Sequence, residues 1–157
     1  MRKTEDIAVE AVAEIRKAAH TQDERRTPNA RRAAELFLEL RTRHDDPKGR
    51  GADMTGRSKE YRQLISSIYD TAFDGVAEDV QNRVTSQIRY HLSTAVREYL
   101  AQTPGSLELY GYNPKSVKER AADRVKQRRA LLDMGLIDEA TSKSSHVARL
   151  VRGARRL

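Results

Sequence analysis

Short apolar residues recur along this chain at intervals of three and four positions, which is the spacing of one face of an α-helix. The clearest of these rows lies within Lys59–Phe73. It consists of Tyr61, Leu64, Ile65, Ile68 and Ala72. Aromatic residues make up only 5% of the chain, and runs of β-branched residues, which strands favour, are scarce. The pattern predicts an all-α protein whose core is built mainly from Ala, Val, Leu and Ile.

Proline, glycine and polar residues divide the rows into separate helices. The first four are predicted over Thr4–His20, Pro28–Arg43, Lys59–Phe73 and Val76–Gln102. We predict a turn at Gln22–Arg26, because Thr27 and Pro28 are typical of an N-cap and a first helical position. Residues 44–58 contain three Gly and one Pro, which predicts a mobile loop. The predicted core face of the fourth helix is Val80, Val84, Ile88, Leu92, Ala95 and Tyr99.

The positive charge of the chain lies in its last 43 residues. Residues 115–157 hold 12 Lys or Arg against five acids, whereas residues 1–114 hold 18 of each. We therefore expect a compact bundle of about four helices over 1–102, a turn or linker over 103–114, and a basic C-terminal extension over 115–157. The extension is predicted to form two helices, one over Ser116–Met134 and one from Ser144 to Leu157.

A basic arm beside a neutral body indicates a polyanionic partner, and duplex DNA is the favoured one. In the last helix, Arg149, Arg152 and Arg156 line up on the side opposite the apolar residues, with Arg155 at the border. Guanidinium suits phosphate because its donors form a planar fork. The residues predicted to bind phosphate are Lys118, Arg124, Arg128, Arg129, Arg149, Arg152, Arg155 and Arg156. The alternative is that these side chains only solvate helix faces, with Glu119 and Asp123 pairing to part of the cluster.

The third and fourth helices, joined by a short turn with Gly75, resemble a helix-turn-helix in outline. If the apolar row of the fourth helix faces inward, Asn82, Ser86 and Arg89 lie on the opposite face. These residue types can read base edges in a major groove, so the three are candidate base-reading residues. The alternative is the solvent face of an ordinary bundle helix.

Two tyrosines, Tyr110 and Tyr112, precede the basic arm. Aromatic side chains beside basic residues can stack on unpaired bases. We favour the other interpretation, in which they clamp a loop onto the core.

Nothing in the sequence indicates catalysis. The chain has no Cys, its four His have no paired metal-ligand spacing, and no phosphate-binding loop or nucleophile motif is present. We therefore expect no enzymatic activity, no metal and no cofactor. Because no apolar run reaches the roughly 20 residues that span a bilayer, we also expect a cytoplasmic protein with no membrane partner.

The expected function is that of a small DNA-binding protein, either a transcriptional regulator or a plasmid- or phage-type accessory factor. The alternative is a non-enzymatic helical adaptor, which binds or inhibits a protein through its amphipathic C-terminal helix. Such a partner would offer an acidic or grooved surface. A homodimer that completes a thin core is a third possibility.

Overall fold

The computed structural model of the chain describes residues 2–21 and 23–136, with residues 23–26 described by their backbone alone. It divides the chain into two compact units, 1–114 and 115–157. Every regular element of the described residues is a helix, which confirms the all-α prediction at that level. The helices are α1 (Thr4–His20), α2 (Asp23–Arg41), α3 (Lys59–Ala72), α4 (Glu78–Ala101), α5 (Ser106–Tyr110) and α6 (Val117–Asp133). No helix of the described residues has the length and apolar character needed to cross a membrane.

Local signals set most helix ends. The bounds of α1 are those predicted, and Ser58 caps α3 by accepting a hydrogen bond from the backbone N–H of Tyr61. The predicted turn at Gln22–Arg26 was wrong, because α2 already begins at Asp23. Pro28 therefore lies inside α2, where it removes one backbone hydrogen bond close to the helix start without ending the helix.

The core of the first unit lies where α2 packs between α1 and α4, with α3 against α1. Phe37 of α2 is only 2% exposed. Its ring meets Tyr69 of α3 edge-on at 5.5 Å between centroids, and Tyr69 in turn stacks on Phe73 at 5.4 Å. These three rings form one aromatic contact in a core that also holds Tyr61 and Met54 and otherwise consists of Ala, Val, Leu and Ile.

The buried row of α4 differs from the predicted one at its C-terminal end. Val84, Ile88 and Leu92 are buried as predicted, but the row continues with Val96 and Leu100. The placement of Ala95 and Tyr99 in the core was wrong: Ala95 is half-buried and Tyr99 is 43% exposed. The buried residues of α4 are four positions apart throughout. Residues at this spacing form a ridge on the helix surface, and such ridges interlock when two helices cross at an angle.

Residues 44–58, the predicted mobile loop, carry a dense set of internal contacts. Asp53 is fully buried, and its carboxylate accepts hydrogen bonds from the backbone N–H groups of Ser58 (2.7 Å) and Arg57 (3.1 Å) and from the hydroxyl of Thr55 (3.0 Å). Burial by itself would raise the pKa of Asp53, but these hydrogen bonds outweigh it and hold the pKa below its ordinary value. The carboxylate thus organises the loop that leads into α3.

Two tyrosines and one arginine fasten this loop to the helices. The Tyr110 hydroxyl donates to the carbonyl oxygens of Arg50 (2.8 Å) and Ala52 (2.9 Å). The hydroxyl of Tyr112 and the guanidinium of Arg41 both donate to the carbonyl oxygen of Met54, at 3.0 and 2.6 Å. The prediction that the tyrosines clamp a loop is confirmed. Residues 103–114, the predicted turn or linker, include α5 and these two tyrosines.

Gly56 occupies a tight place in this loop, and replacing it by alanine is expected to destabilise the first unit. Its φ is +67°, and a Cβ there would lie 2.7 Å from the Arg41 guanidinium and 3.0 Å from the Tyr61 ring. Left-handed backbone costs a residue other than glycine about 1–2 kcal/mol, and the two contacts add to this. The measurement is the free energy of unfolding in urea.

The control for Gly56→Ala is Gly49→Ala. Gly49 has nearly the same φ, +68°, but open space where the Cβ would be. The difference between the two variants therefore isolates the contacts with Arg41 and Tyr61. Equal destabilisation by both would contradict the close packing of residues 54–58 on α2 and α3.

Candidate nucleic-acid interface

Helix α6, the first helix of the basic unit, begins with a capping box. The Ser116 hydroxyl accepts from the backbone N–H of Glu119 at 3.1 Å, and the Glu119 carboxylate accepts from the backbone N–H of Ser116 at 2.6 Å. This reciprocal pair satisfies two N–H groups that a helix start leaves without partners. The first acid of α6 is thus used by the helix itself.

The second acid of α6, Asp123, forms an ion pair with Lys115, which precedes the helix, at 2.6 Å. The hydrogen bond from Lys115 lowers the pKa of the Asp123 carboxyl, and the same contact raises the pKa of Lys115. Asp123 therefore joins the segment before α6 to the helix. Asp123 also lies near enough to Lys126 for that cation to lower the pKa of the carboxyl further.

Those cations lie on both sides of a narrow apolar row. Arg120, Arg124 and Arg128 succeed one another at intervals of four and form one line along α6, while Lys118 and Arg129 lie across the apolar row from it. Lys118, Arg120, Arg124 and Arg129 are exposed, and no ion pair involves them among the residues the structure describes. Arg128 is half-buried. Helix α6 thus presents a cationic surface of mostly exposed side chains.

The apolar row of α6 consists of Val117, Ala121, Val125 and Leu132. Val117 and Val125 are each 67% exposed, and no residue of α6 is buried. Helix α6 therefore leaves most of its surface, including Val117 and Val125, in solvent.

The predicted phosphate-binding residues Arg149, Arg152, Arg155 and Arg156 lie outside the described residues, as does the predicted final helix. Of the eight residues predicted to bind phosphate, Lys118, Arg124, Arg128 and Arg129 are brought together on α6.

The predicted base-reading residues lie in the other unit. Asn82, Ser86 and Arg89 are all exposed on α4, opposite its buried row. Helices α3 and α4, however, scarcely contact each other, because α3 packs mainly on α1 and α4 mainly on α2. This differs from a helix-turn-helix, whose two helices form one compact unit.

The surroundings of Asn82 are acidic. Asp70, Asp74, Glu78 and Asp79 are all exposed near the turn between α3 and α4. Arg83, one turn along α4, is paired with Asp79 at 2.5 Å. A polyanion approaching the start of α4 would meet this negative charge, which is unfavourable for groove reading by Asn82.

A groove of about 420 Å³ lies between α3 and α4, where the two helices make few contacts. It is lined by Tyr69, Asp70 and Phe73 from α3 and by Gln81, Asn82 and Thr85 from α4. Sequence reasoning placed only Asn82 on a functional face, because a groove depends on the separation of two helices and leaves no pattern in either. Within the described part of the chain, no group of His, Asp and Glu side chains could hold a metal ion.

No protein-family model, no curated protein and no solved structure matches this chain.

Proposed function

We propose that this protein binds nucleic acid, with duplex DNA as the favoured form, through phosphate contacts made by its basic unit. It is a binding protein rather than an enzyme in this proposal, and a role as a transcriptional regulator or accessory factor follows from DNA binding. The predicted residues Arg149, Arg152, Arg155 and Arg156 belong to the same basic segment of the sequence, residues 115–157.

The observation that carries the proposal is the separation of acids from cations on α6. Glu119 is used in the capping box and Asp123 in the pair with Lys115, while Lys118, Arg124 and Arg129 are exposed. Stability does not require unpaired cations on a helix surface, since interspersed charges solubilise it equally well. The remaining acid of α6, Asp133, lies one turn after Arg129, so exposed cations outnumber it. Such an excess of positive charge attracts a polyanion.

The line of arginines also matches an extended target. Arg120, Arg124 and Arg128 are each about 6 Å apart along the helix axis, so the line spans about 12 Å. Phosphates of one DNA strand follow at about 3.4 Å of axial rise, so the line extends past several of them. Such contacts position a protein on DNA without reading its sequence.

Sequence selectivity from Asn82, Ser86 and Arg89 stays a prediction. Their exposure favours it, but the acidic side chains near Asn82 and the separation of α3 from α4 weigh against it.

We expect the protein to bind random-sequence duplex DNA with an affinity that falls steeply with salt. With about six phosphate contacts, log K should fall with log salt at a slope of about −5. The triple variant Lys118→Gln, Arg124→Gln, Arg129→Gln should make that slope shallower by about 2.7, because three fewer counterions are released. Fluorescence anisotropy with labelled DNA at several salt concentrations measures both quantities.

The matched control is Arg57→Gln, Lys59→Gln, Arg62→Gln. These three side chains are exposed and lie in the neutral unit. Replacing them by Gln removes the same net charge as the first triple variant. The control should leave the slope unchanged. Absence of binding by the unmodified protein at low salt, or equal loss in both triple variants, would overturn the proposal.

A second candidate function is an adaptor that binds a protein. The exposed apolar side chains Val117 and Val125, which DNA phosphates do not use, favour it. Cations on both sides of this row suit a partner with an apolar groove and an acidic rim. The double variant Val117→Gln, Val125→Gln separates the two functions: it should leave DNA binding unchanged and abolish binding to such a protein.

A further inference from the structure

The groove between α3 and α4 has an aromatic wall. Tyr69 and Phe73 stack with an interplanar angle of 12°, and both line the groove. Burial raises the pKa of the Tyr69 hydroxyl above its ordinary value, so this group is protonated and uncharged at physiological pH. The wall therefore offers two uncharged rings, Tyr69 half-buried and Phe73 9% exposed, whose open parts can contact a cation.

Asp70, Gln81, Asn82 and Thr85 each bring at least one oxygen acceptor to the lining of the groove. No hydrogen bond within the described residues involves the Asp70 carboxylate or the side chains of Asn82 and Thr85. The Gln81 side chain donates its N–H to the carbonyl oxygen of Val76 at 2.7 Å, which leaves its own carbonyl oxygen as an acceptor. The residues that carry these acceptors thus line one open volume.

The charge of the lining is negative. Asp70 is the only charged residue among the six that line the groove. Asp74, Glu78 and Asp79 add negative charge nearby, of which Arg83 offsets one. Arg89, one turn beyond Thr85, lies near enough to Tyr69 to oppose the rise of its pKa, so one cation lies at the edge of the groove. Phosphate-bearing ligands are disfavoured here.

We propose that this groove binds a guanidinium group. The cation would form an ion pair with Asp70, rest against the rings of Tyr69 and Phe73, and donate its N–H groups to the oxygens of Gln81, Asn82 and Thr85. A guanidinium, with five N–H donors and a flat face that stacks on aromatic rings, uses every one of these features. This site lies on the neutral unit and does not depend on the proposed DNA binding.

The test is an NMR titration of the 15N-labelled full chain with N-acetylarginine amide, which represents an arginine side chain of a peptide. Agmatine is titrated separately as a free small molecule carrying the same group. The expected result is saturable shifts of the amide signals of Tyr69, Asp70, Asn82 and Thr85. Saturation by the arginine amide alone assigns the site to a peptide, and saturation by both assigns it to the shared guanidinium chemistry.

N-acetylcitrulline amide is the matched control ligand, because it is uncharged and nearly the same shape. Asp70→Asn should weaken arginine-amide binding about tenfold, since it removes a charge-assisted hydrogen bond, whereas Asp74→Asn outside the lining should not. Both aspartates are exposed, so neither variant should unfold the chain. Equal binding of the citrulline compound, no saturable shifts, or equal effects of the two variants would overturn the proposal.

Discussion

Replacing Phe37 by alanine is expected to lower the free energy of unfolding of the first unit by about 3–5 kcal/mol. The ring is 2% exposed and lies in α2, the helix that contacts both α1 and α4. Its removal takes away buried apolar surface and the edge-on contact with Tyr69. Most of the remaining core residues are Ala, Val, Leu and Ile, which are too small to fill a cavity of that size.

Urea unfolding followed by tyrosine fluorescence measures this effect. All six tyrosines lie between positions 61 and 112 and the chain has no tryptophan, so the signal reports on the first unit alone. Val9→Ala is the control, because Val9 is 71% exposed and its truncation should change stability by about 0.5 kcal/mol at most. A loss below about 1 kcal/mol for Phe37→Ala would show that the core is not built around this ring.

The second large effect is expected for Asp53→Ala, at about 3 kcal/mol. The carboxylate is fully buried and accepts from two backbone N–H groups and one hydroxyl. Alanine leaves these donors without an acceptor in the region where α3 begins. Asp53→Asn should cost less, because its carbonyl oxygen can still accept one or two of the bonds.

The stability that the Asp53 carboxylate contributes is also expected to depend on pH. The pKa of Asp53 is lower in the folded state than its ordinary value, which is about 3.9. The stability that the carboxylate supplies is therefore fully present above about pH 4 and is lost as the pH falls through the folded pKa. The gap between the unmodified protein and Asp53→Ala should narrow below about pH 4. A gap that stayed constant down to pH 2 would contradict the role of the ionised carboxylate.

Local chemistry accounts for the helices that could be predicted. Thr4–His20 and the Ser58 cap follow from residues within one or two turns of each other, so no distant contact is needed to see them. The start of α2 could not be predicted in the same way. Thr27 and Pro28 fit a helix start, yet the preceding residues are also compatible with helix, and α2 includes them.

The candidate sites likewise include features that could be predicted from the sequence and features that could not. The cations of α6 and the exposure of Asn82, Ser86 and Arg89 could be predicted, because helical spacing alone separates an apolar face from a polar one. The groove could not, since it arises from how far apart two helices lie. The use of Glu119 in a capping box is visible in the sequence as Ser-x-x-Glu, a signal that was available and bears directly on which cations remain unpaired.

The sequence by itself determined the helical class, the position of most helix ends and the confinement of the net positive charge to residues 115–157. Each of these depends on the order of neighbouring residues. Only the tertiary structure decided how residues 44–58 are held, which row of α4 is buried after Leu92, and where a groove remains open. Those outcomes depend on contacts such as that between Tyr110 and Arg50, 60 positions apart, whose partners are chosen by the packing of whole helices and leave no local pattern.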